Sequence, residues 1–344
     1  MPELRKDPII GRWVIVATER ARRPGNFVDP GENVFEEEGV CPFCVHHETY
    51  TPPEVYSIRD NGSHPNSPGW KVRVVPSIKP IMKIEGSLTR RGTALYDVMD
   101  DVGAHEVIVE TPDHIANMAD LDASQIQKVF ETYIVRINDL ERDPRFRYAL
   151  AYKNYGWSAG GGKIKHCRSQ IIATPITPIR AKDELVGAKK YFDLHERCVY
   201  CDLIHQECKN QTRVVAENDQ FVALTPFAAR FPFEMWILPK KHSCDFSKGA
   251  PGTIAELASM MKEILTKLKV GLDDPAYNYV IHTAPFRRES PKDSQWKTIN
   301  EDYHWHIEVM PRLTHVAGFE KGTGFYICSI PPENTAEYLR GVKV

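Results

Sequence analysis

Residues 154–175 read Asn-Tyr-Gly-Trp-Ser-Ala-Gly-Gly-Gly-Lys-Ile-Lys-His-Cys-Arg-Ser-Gln-Ile-Ile-Ala-Thr-Pro, a glycine run followed by a basic stretch and an apolar run. Three consecutive glycines let a backbone approach a ligand with its N–H groups turned outward, as anions require. The lysines and the arginine that follow add charges that suit phosphate oxygens. Ile171, Ile172 and Ala173 are typical of the start of a buried strand. The segment therefore predicts a basic, glycine-lined lip beside a rigid strand, a candidate site for a phosphorylated ligand.

The alternative is an ordinary glycine-rich surface loop with solvated lysines, because a glycine run alone is a weak signal. In a phosphate site, the backbone at Gly161 and Gly162 and the side chains of Lys163 and Lys165 would contact the ligand. Asn154 could hydrogen-bond a phosphate or a ribose, or it could cap the end of a strand. A second copy of the surrounding pattern later in the chain favours the phosphate site.

Length and composition are those of an ordinary globular protein. The 344 residues fit about two domains, and 42% hydrophobic and 26% charged residues are typical values. A formal net charge of −2 shows no general nucleic-acid footprint, so any phosphate binding must be local. The sequence has neither an apolar run that would span a membrane nor the apolar segment of a signal peptide at its N-terminus. We therefore expect a cytoplasmic protein without nucleic-acid or membrane partners.

The two halves of the chain repeat one order of features. Each half has Cys-x-x-Cys, strands, a turn with proline and histidine, a long amphipathic helix and a further strand. Apolar spacing predicts the two helices at residues 124–139 and 253–269, and Ile9 to Thr18 is predicted to be a strand. Hairpins and meanders outnumber βαβ crossovers in this pattern. We therefore predict an α+β fold of two tandem repeats, residues 1–190 and 191–344, each a mainly antiparallel sheet with a long helix, packed as one pseudo-symmetric unit.

Eight cysteines in an intracellular chain argue for metal sites or free thiols rather than disulfides. Four of them form two Cys-x-x-Cys pairs, and each half also has two separated histidines. The predicted ligand sets are Cys41, Cys44, His114 and His166 in the first half and Cys198, Cys201, His242 and His304 in the second. Two thiolates and two imidazoles make a closed, tetrahedral zinc site of structural type, which predicts two zinc ions per chain.

Other uses of these residues stay open. Either cysteine pair could be a redox dithiol or two unlinked thiols. A different metal site could also claim His304, because Glu184, His282, His304 and His306 together could bind a hard or borderline metal. We favour the cysteine sets because thiolates hold zinc well.

With these residues identified, the chain resembles the galactose-1-phosphate uridylyltransferase family of the histidine-triad superfamily, including its ADP-sugar phosphorylase branch. The resemblance covers nearly the whole length. The matching pieces are Arg20-x-x-Arg23-Pro24, Cys41-x-x-Cys44, Pro112-Asp113-His114, His166-x-Arg168-Ser169-Gln170, His282-Thr283-Ala284-Pro285-Phe286, His304-Trp305-His306 and Phe319-Glu320-Lys321-Gly322-Thr323-Gly324. The resemblance implies two histidine-triad-like repeats. It also implies nucleotidyl transfer between an NDP-sugar and a sugar 1-phosphate or phosphate, as in the exchange of UDP-glucose with galactose 1-phosphate.

The resemblance also implies contacts outside the glycine lip. Arg20 and Arg23 match contacts to the phosphate or nucleotide end, although a solvated basic turn is an equal alternative. Ser77 stands where the family has an asparagine that contacts the base or ribose. A C-terminal loop that often closes over the sugar of the neighbouring subunit corresponds here to Lys321, Gly322 and Gly324, which implies a homodimer.

The chain departs from the family at its nucleophile. There, a histidine in His-x-His-x-Gln attacks the α-phosphorus and forms a nucleotidyl-histidine. Here that position is Arg168, and a protonated guanidinium has no lone pair with which to attack phosphorus. Lys163 likewise stands where the family usually has a small hydroxyl residue. We therefore expect the covalent route through this position to be closed.

Three hypotheses about activity follow. In the first, a phosphate or sugar phosphate attacks directly, and Arg168, Lys163 and Lys165 hold the anions. Ser169 and Gln170 are the other predicted catalytic residues beside Arg168. In the second, the nucleophile is His306, which occupies the matching position of the second repeat, although Glu308 replaces the expected glutamine and would repel phosphate. In the third, the protein binds nucleotide sugars without turnover. The remaining histidines, including His105, are predicted to be ordinary surface or core residues.

Overall fold

A computed structural model describes residues 3–16, 39–60, 62–249, 251–287 and 296–344. The predicted contacts Arg20 and Arg23 lie outside these residues. The strands are β1 Glu3–Lys6, β2 Trp13–Val16, β3 Tyr56–Arg59, β4 Trp70–Pro76, β5 Arg90–Thr93, β6 Tyr96–Met99, β7 Ala104–Val109, β8 Tyr148–Tyr155, β9 Arg168–Thr174, β10 Val214–Glu217, β11 Phe221–Leu224, β12 Met235–Pro239, β13 Tyr277–His282, β14 His306–Pro311 and β15 Tyr326–Cys328. The helices are α1 Ala123–Glu141, α2 Ile179–His195, α3 Val199–Asn210, α4 Pro251–Gly271, α5 Ile299–Asp302, α6 Gly318–Thr323 and α7 Pro332–Gly341.

One ten-stranded sheet runs through both halves of the chain, in the order β10-β11-β12-β14-β13-β8-β9-β7-β4-β3. Every neighbouring pair in it is antiparallel, including β13 and β8, which join the halves with Tyr277 opposite Tyr155. This arrangement confirms the predicted α+β class. A boundary between residues 190 and 191 would cut α2, so the division into two repeats stays an interpretation.

The two long predicted helices are confirmed as α1 and α4, and they pack against each other as well as against the sheet. Their apolar stripes follow the 3.6-residue period, and Ile126, Phe130, Ile254 and Leu257 are fully buried in one core. No helix of the described residues is long and apolar enough to cross a membrane.

Two parts of the chain differ from the sequence-based expectations. The strand predicted from Ile9 to Thr18 begins only at Trp13, because the Asp7 carboxylate accepts hydrogen bonds from the amides of Ile9 and Ile10 (2.9 and 3.1 Å) and closes a turn there. Side-chain acceptors of this kind compete with strand pairing. Helices α2 and α3 were not predicted, and Cys198 lies directly before the first residue of α3.

Candidate functional site

The glycine lip, residues 156–167, connects β8 to β9. Gly160 and Gly162 have φ angles of +80° and +71°, in the left-handed region that favours glycine. A Cβ at Gly161 would lie 2.7 Å from the carbonyl oxygen of Gly156, so this position also requires glycine. The backbone therefore folds back on itself at the end of the two central strands of the first half.

A cavity of about 260 Å³ lies under this lip, and it brings together the ligand contacts that were predicted in and next to the lip. Its lining includes Asn154, Gly161, Gly162, Lys163, Lys165 and Arg168. Both lysine side chains are exposed, and among the described residues neither has an ion-pair partner. The cavity also contains Tyr155 and Asp274, which sequence reasoning did not single out. The basic lip predicted from the sequence is thus a concave site.

Arg168 braces the lip from below. Its guanidinium donates hydrogen bonds to the carbonyl oxygens of Ile164 (2.7 Å), His166 (3.1 Å) and Gly161. It also stacks over the ring of Phe43 at 5.4 Å. These hydrogen bonds hold the glycine backbone in place. They also keep the positive charge of the guanidinium at the cavity.

Gln170 lies on the same face of β9 as Arg168, since side chains alternate along a strand. Its Oε1 accepts hydrogen bonds from His105 Nε2 (2.7 Å) and the Tyr152 hydroxyl (3.0 Å). The amide of Ile81 donates to His105 Nδ1 (3.1 Å), so the imidazole proton is on Nε2. The prediction of an ordinary role for His105 missed this contact, which depends on the register of β7 and β9.

Ser169 lies on the opposite face of β9 and is 1% exposed. Its hydroxyl accepts a hydrogen bond from Tyr133 (2.5 Å), whose hydroxyl also contacts that of Tyr279 (2.6 Å) between the sheet and α1. The predicted catalytic role for Ser169 is therefore wrong, because a ligand at Arg168 cannot reach it. The alternation of side chains along a strand already indicated this.

The remaining predicted contacts lie away from the glycine lip. Ser77 follows β4, and its amide donates to the carbonyl oxygen of His105 (2.9 Å), which puts it near Gln170. Lys321 and Gly322 are exposed on α6. Gly324 borders a different cavity, of about 390 Å³, which residues of both halves line.

The first predicted metal set is assembled. Sulfur-to-Nδ1 separations are 3.5 Å for Cys41–His166, 3.2 Å for Cys44–His114 and 3.7 Å for Cys44–His166. A tetrahedral zinc with ordinary bond lengths separates such atoms by about 3.5 Å. His166 Nε2 donates to the Thr111 carbonyl (2.9 Å), and burial lowers the pKa of His166 to about 4, which keeps the ring neutral. The donor set fits a closed zinc site.

The second set has the same construction. Cys201 Sγ lies 3.3 Å from His242 Nδ1 and 3.6 Å from His304 Nδ1, and Cys198 completes the set. Both imidazoles donate through Nε2 to backbone carbonyls, at Asn300 (2.9 Å) and Pro239 (2.8 Å). A hydrogen bond from Cys198, aided by the imidazoles, lowers the pKa of Cys201 to about 3 and favours the thiolate that zinc requires. All eight cysteines are free of disulfides, as expected.

A third cluster combines Glu184, His282, His306 and Glu308, with one possible ligand atom from each within 4.8 Å of the others. His304 belongs to the cysteine set instead, so the expected competition for this histidine does not arise. Nδ1 and Nε2 of His282 face Glu184 (3.1 Å) and Glu308 (3.3 Å). The donor set could hold a hard or borderline metal, or it could act as an ion-pair network.

The surroundings of the two histidines in this cluster shift their pKa values in opposite directions. Burial alone would lower the pKa of His282, but the charges of Glu184 and Glu308 raise it to about 10. Burial and the positive charge of His282, whose ring is stacked at 4.7 Å, lower the pKa of His306 to about 4. His306 Nδ1 donates to the His304 carbonyl (3.1 Å), which leaves a lone pair on Nε2.

Comparison with known proteins agrees with this geometry. The family described as "Galactose-1-phosphate uridyl transferase, C-terminal domain" matches residues 184–324. The chain is 35% identical to the ADP-glucose phosphorylase of Arabidopsis thaliana, over all of this chain and 93% of that protein. It is 27% identical to the galactose-1-phosphate uridylyltransferase of Thermotoga maritima, over all of this chain and 99% of that protein.

A solved structure extends the likeness to three dimensions. The crystal structure of an ADP-glucose phosphorylase from Arabidopsis thaliana with bound ADP-glucose has a TM-score of 0.83 and 32% identity, with full coverage of both chains. Sequence and fold therefore agree over the whole length. The chain belongs to the family of galactose-1-phosphate uridylyltransferases and ADP-glucose phosphorylases.

Proposed function

We propose that the protein transfers the nucleotidyl group of an NDP-sugar directly to an anionic acceptor, without a nucleotidyl-enzyme intermediate. Family membership supports the substrate class, since relatives are named for reactions of ADP-glucose and galactose 1-phosphate. The observation that carries the direct route is Arg168 at the position of the nucleophile. Its guanidinium has no lone pair and donates to three carbonyls of the glycine lip.

The direct reaction is balanced without a protein nucleophile. An oxygen of the acceptor phosphate attacks the α-phosphorus, and the bond from that phosphorus to the bridging oxygen breaks. The hexose 1-phosphate then leaves with that oxygen. The acceptor is already an anion, so no general base is needed, and the protein contributes positioning and positive charge. Lys163, Lys165 and Arg168 supply this charge at the cavity.

Direct transfer requires both substrates to be bound together. A second cavity of about 580 Å³ adjoins the one under the lip and shares Asn154 with it. Arg180 and Arg312 line this second cavity and can attract another phosphate group. Two adjoining cavities fit a ternary complex, in which initial-rate lines intersect. A covalent route gives parallel lines.

The identity of the acceptor distinguishes two reactions of this class. A hexose 1-phosphate acceptor makes the protein a uridylyltransferase-like enzyme, and inorganic phosphate makes it a phosphorylase. The second reaction is favoured by 35% identity to an ADP-glucose phosphorylase. Phosphorus NMR of the protein with UDP-glucose or ADP-glucose, plus galactose 1-phosphate or phosphate, follows all these products at once. Broadened nucleotide lines without product, for every acceptor, would favour a non-catalytic nucleotide-sugar-binding protein.

His306 is the alternative nucleophile. The Nε2 lone pair left by its hydrogen bond to the His304 carbonyl supports such a role. Against it, Glu184 and Glu308 lie within 4.8 Å and would repel a phosphate. His306→Ala should therefore leave transfer largely intact. Complete loss of turnover, together with a labelled adduct in the wild-type protein, would move the reaction to the second half.

We also propose two structural zinc ions per chain, held by the two Cys₂His₂ sets. The sulfur-to-nitrogen separations and the backbone partners of the imidazoles support this. A homodimer is proposed from the family resemblance, with Lys321, Gly322 and Gly324 reaching the neighbouring site. Metal analysis and analytical ultracentrifugation test the two proposals separately.

A further inference from the structure

Among the residues that the structure describes, Asp274 is the one carboxylate in the lining of the cavity under the glycine lip. It belongs to the turn from α4 to β13, whereas the lip belongs to the connection from β8 to β9. The cavity therefore receives its positive charge from the first half of the chain and its negative charge from the second. A site built only for phosphate would not contain a carboxylate, because like charges repel strongly where water is partly excluded.

The carboxylate is held in place by neutral groups. Asn117 Nδ2 donates to Oδ1 (2.6 Å), and the Tyr155 hydroxyl donates to Oδ2 (2.8 Å). Among the described residues, neither Lys163 nor Lys165 forms an ion pair with it. Each carboxylate oxygen has a second lone pair, so Asp274 can still accept hydrogen bonds from a ligand.

The backbone around Asp274 is unusual. Asp273 and Asp274 have φ angles of +58° and +55°, in the left-handed region that is uncommon for residues with a side chain. The Asp274 amide donates to the Lys269 carbonyl (2.8 Å) at the end of α4, which fixes the turn. Such backbone outliers persist where the surrounding structure determines them, and they occur often at ligand sites.

We propose that Asp274, oriented by Tyr155, binds the hydroxyl groups of the hexose in a hexose 1-phosphate whose phosphate lies at Lys163 and Lys165. This inference rests on the proposed function, because transfer from an NDP-sugar releases or consumes a hexose 1-phosphate. The ligand is complementary to the cavity at both ends. Its phosphate can pair with the cations, and its hydroxyl groups can donate hydrogen bonds to the carboxylate. Inorganic phosphate lacks the hexose hydroxyl groups, so it can place its oxygens at the cations without reaching the carboxylate.

Calorimetric titration of the full-length protein tests this without any turnover. Asp274→Asn keeps the shape of the side chain and removes its charge. It should weaken binding of glucose 1-phosphate and galactose 1-phosphate about tenfold, as expected for the loss of a hydrogen bond to a charged group. Binding of inorganic phosphate should stay unchanged or become tighter. Tyr155→Phe should weaken hexose 1-phosphate binding by a smaller factor, about threefold, because it removes only the group that orients the carboxylate.

Asp273→Asn is the matched control. Asp273 is also exposed and left-handed, but it does not line the cavity, so both affinities should stay at wild-type values. Equal weakening of phosphate and hexose 1-phosphate by Asp274→Asn would show a structural role and overturn the proposal. Unchanged hexose 1-phosphate binding would overturn it as well, and so would weakening confined to nucleoside monophosphates. If wild-type protein binds hexose 1-phosphate through Asp274 but turns over no NDP-sugar, the proposed transfer fails and this inference stands.

Discussion

Strands β9 and β14 occupy corresponding positions in the two halves of the chain, and they present opposite electrostatics. β9 begins two residues after His166 of the first Cys₂His₂ set, and it carries Arg168 and Gln170. These two residues lie beside a lip that carries two lysines. β14 begins two residues after His304 of the second Cys₂His₂ set, and it carries His306 and Glu308. There, Glu184 and His282 complete a buried cluster.

The two strands differ in the charges that their side chains present to a ligand. Gln170 is a neutral acceptor held by His105 and Tyr152, so it adds no negative charge near a phosphate. Glu308 is a buried carboxylate that accepts from Arg230 at 2.5 Å and faces His282. β9 thus presents a cation and a neutral acceptor, whereas β14 presents a carboxylate that Arg230 and His282 neutralise, although both strands follow a Cys₂His₂ set.

The largest effect should come from the metal sets that the halves share. Replacing His166 or His304 by alanine should lower zinc from two ions per chain to one. Either variant should lose about 5 kcal/mol or more of unfolding free energy, because metal binding is coupled to folding. Metal analysis and thermal unfolding measure both quantities. Cys208→Ser, at a cysteine outside both sets, should retain two zinc ions; retention of two ions by the histidine variants would contradict the assignment.

Arg168→His makes β9 resemble β14 and restores a possible nucleophile. We expect a nucleotidyl-protein adduct when this variant is incubated with α-³²P-labelled NDP-sugar, and parallel instead of intersecting initial-rate lines. Arg168→Ala should lower kcat/KM about 100-fold, since it removes both the charge and the brace of the lip. Arg168→Gln serves as the control that keeps a hydrogen-bond donor and has no nucleophile with which to form an adduct. An adduct on the unmodified protein would disprove direct transfer.

The third cluster should make stability depend on pH. The pKa of His282 is about 10 in the folded protein and about 6.5 in an unfolded chain, so protonated His282 stabilises the fold fully below about pH 6.5. This contribution should be lost as pH rises through about 10, at a total cost of about 5 kcal/mol. Urea unfolding at pH 6.5, 8 and 9.5 should show the decline in wild-type protein and in His205→Gln. A decline that persists in His282→Gln would assign it to other groups.

The smallest effect is expected at Gln170. His105→Ala removes the donor that orients its Oε1, which should lower kcat/KM about tenfold without much change in thermal stability. His64→Ala, at an exposed histidine outside the site, should behave as wild type. Equal kinetics for the two variants would remove His105 from the site.

Local patterns predicted much of the fold. The apolar period predicted α1 and α4 because an amphipathic stripe must face the sheet. Helix α2 was missed because only three of its seventeen residues are buried, and it has no such stripe to detect. The turn before β2 was missed because it depends on a side-chain acceptor, Asp7, that competes with strand pairing.

Within the site, residue type and spacing were enough where chemistry demands particular atoms. The eight members of the two Cys₂His₂ sets and the glycine lip could be picked out from the sequence because thiolates, imidazoles and glycine have few substitutes in such roles. The proposal of direct transfer likewise rests on the residue type at position 168, since no fold can give a guanidinium a free lone pair.

Tertiary structure decided everything that depends on strand register and on contacts between the halves. His105 meets Gln170 only because β7 pairs with β9 in one register, and a shift of one residue would turn either side chain to the other face. Glu308 joins His282 through the pairing of β13 with β14, and Asp274 enters the cavity of the first half through a turn of the second. The spacing of residues along the sequence does not predict such contacts. Strands pair through backbone hydrogen bonds, which depend little on the identity of the side chains.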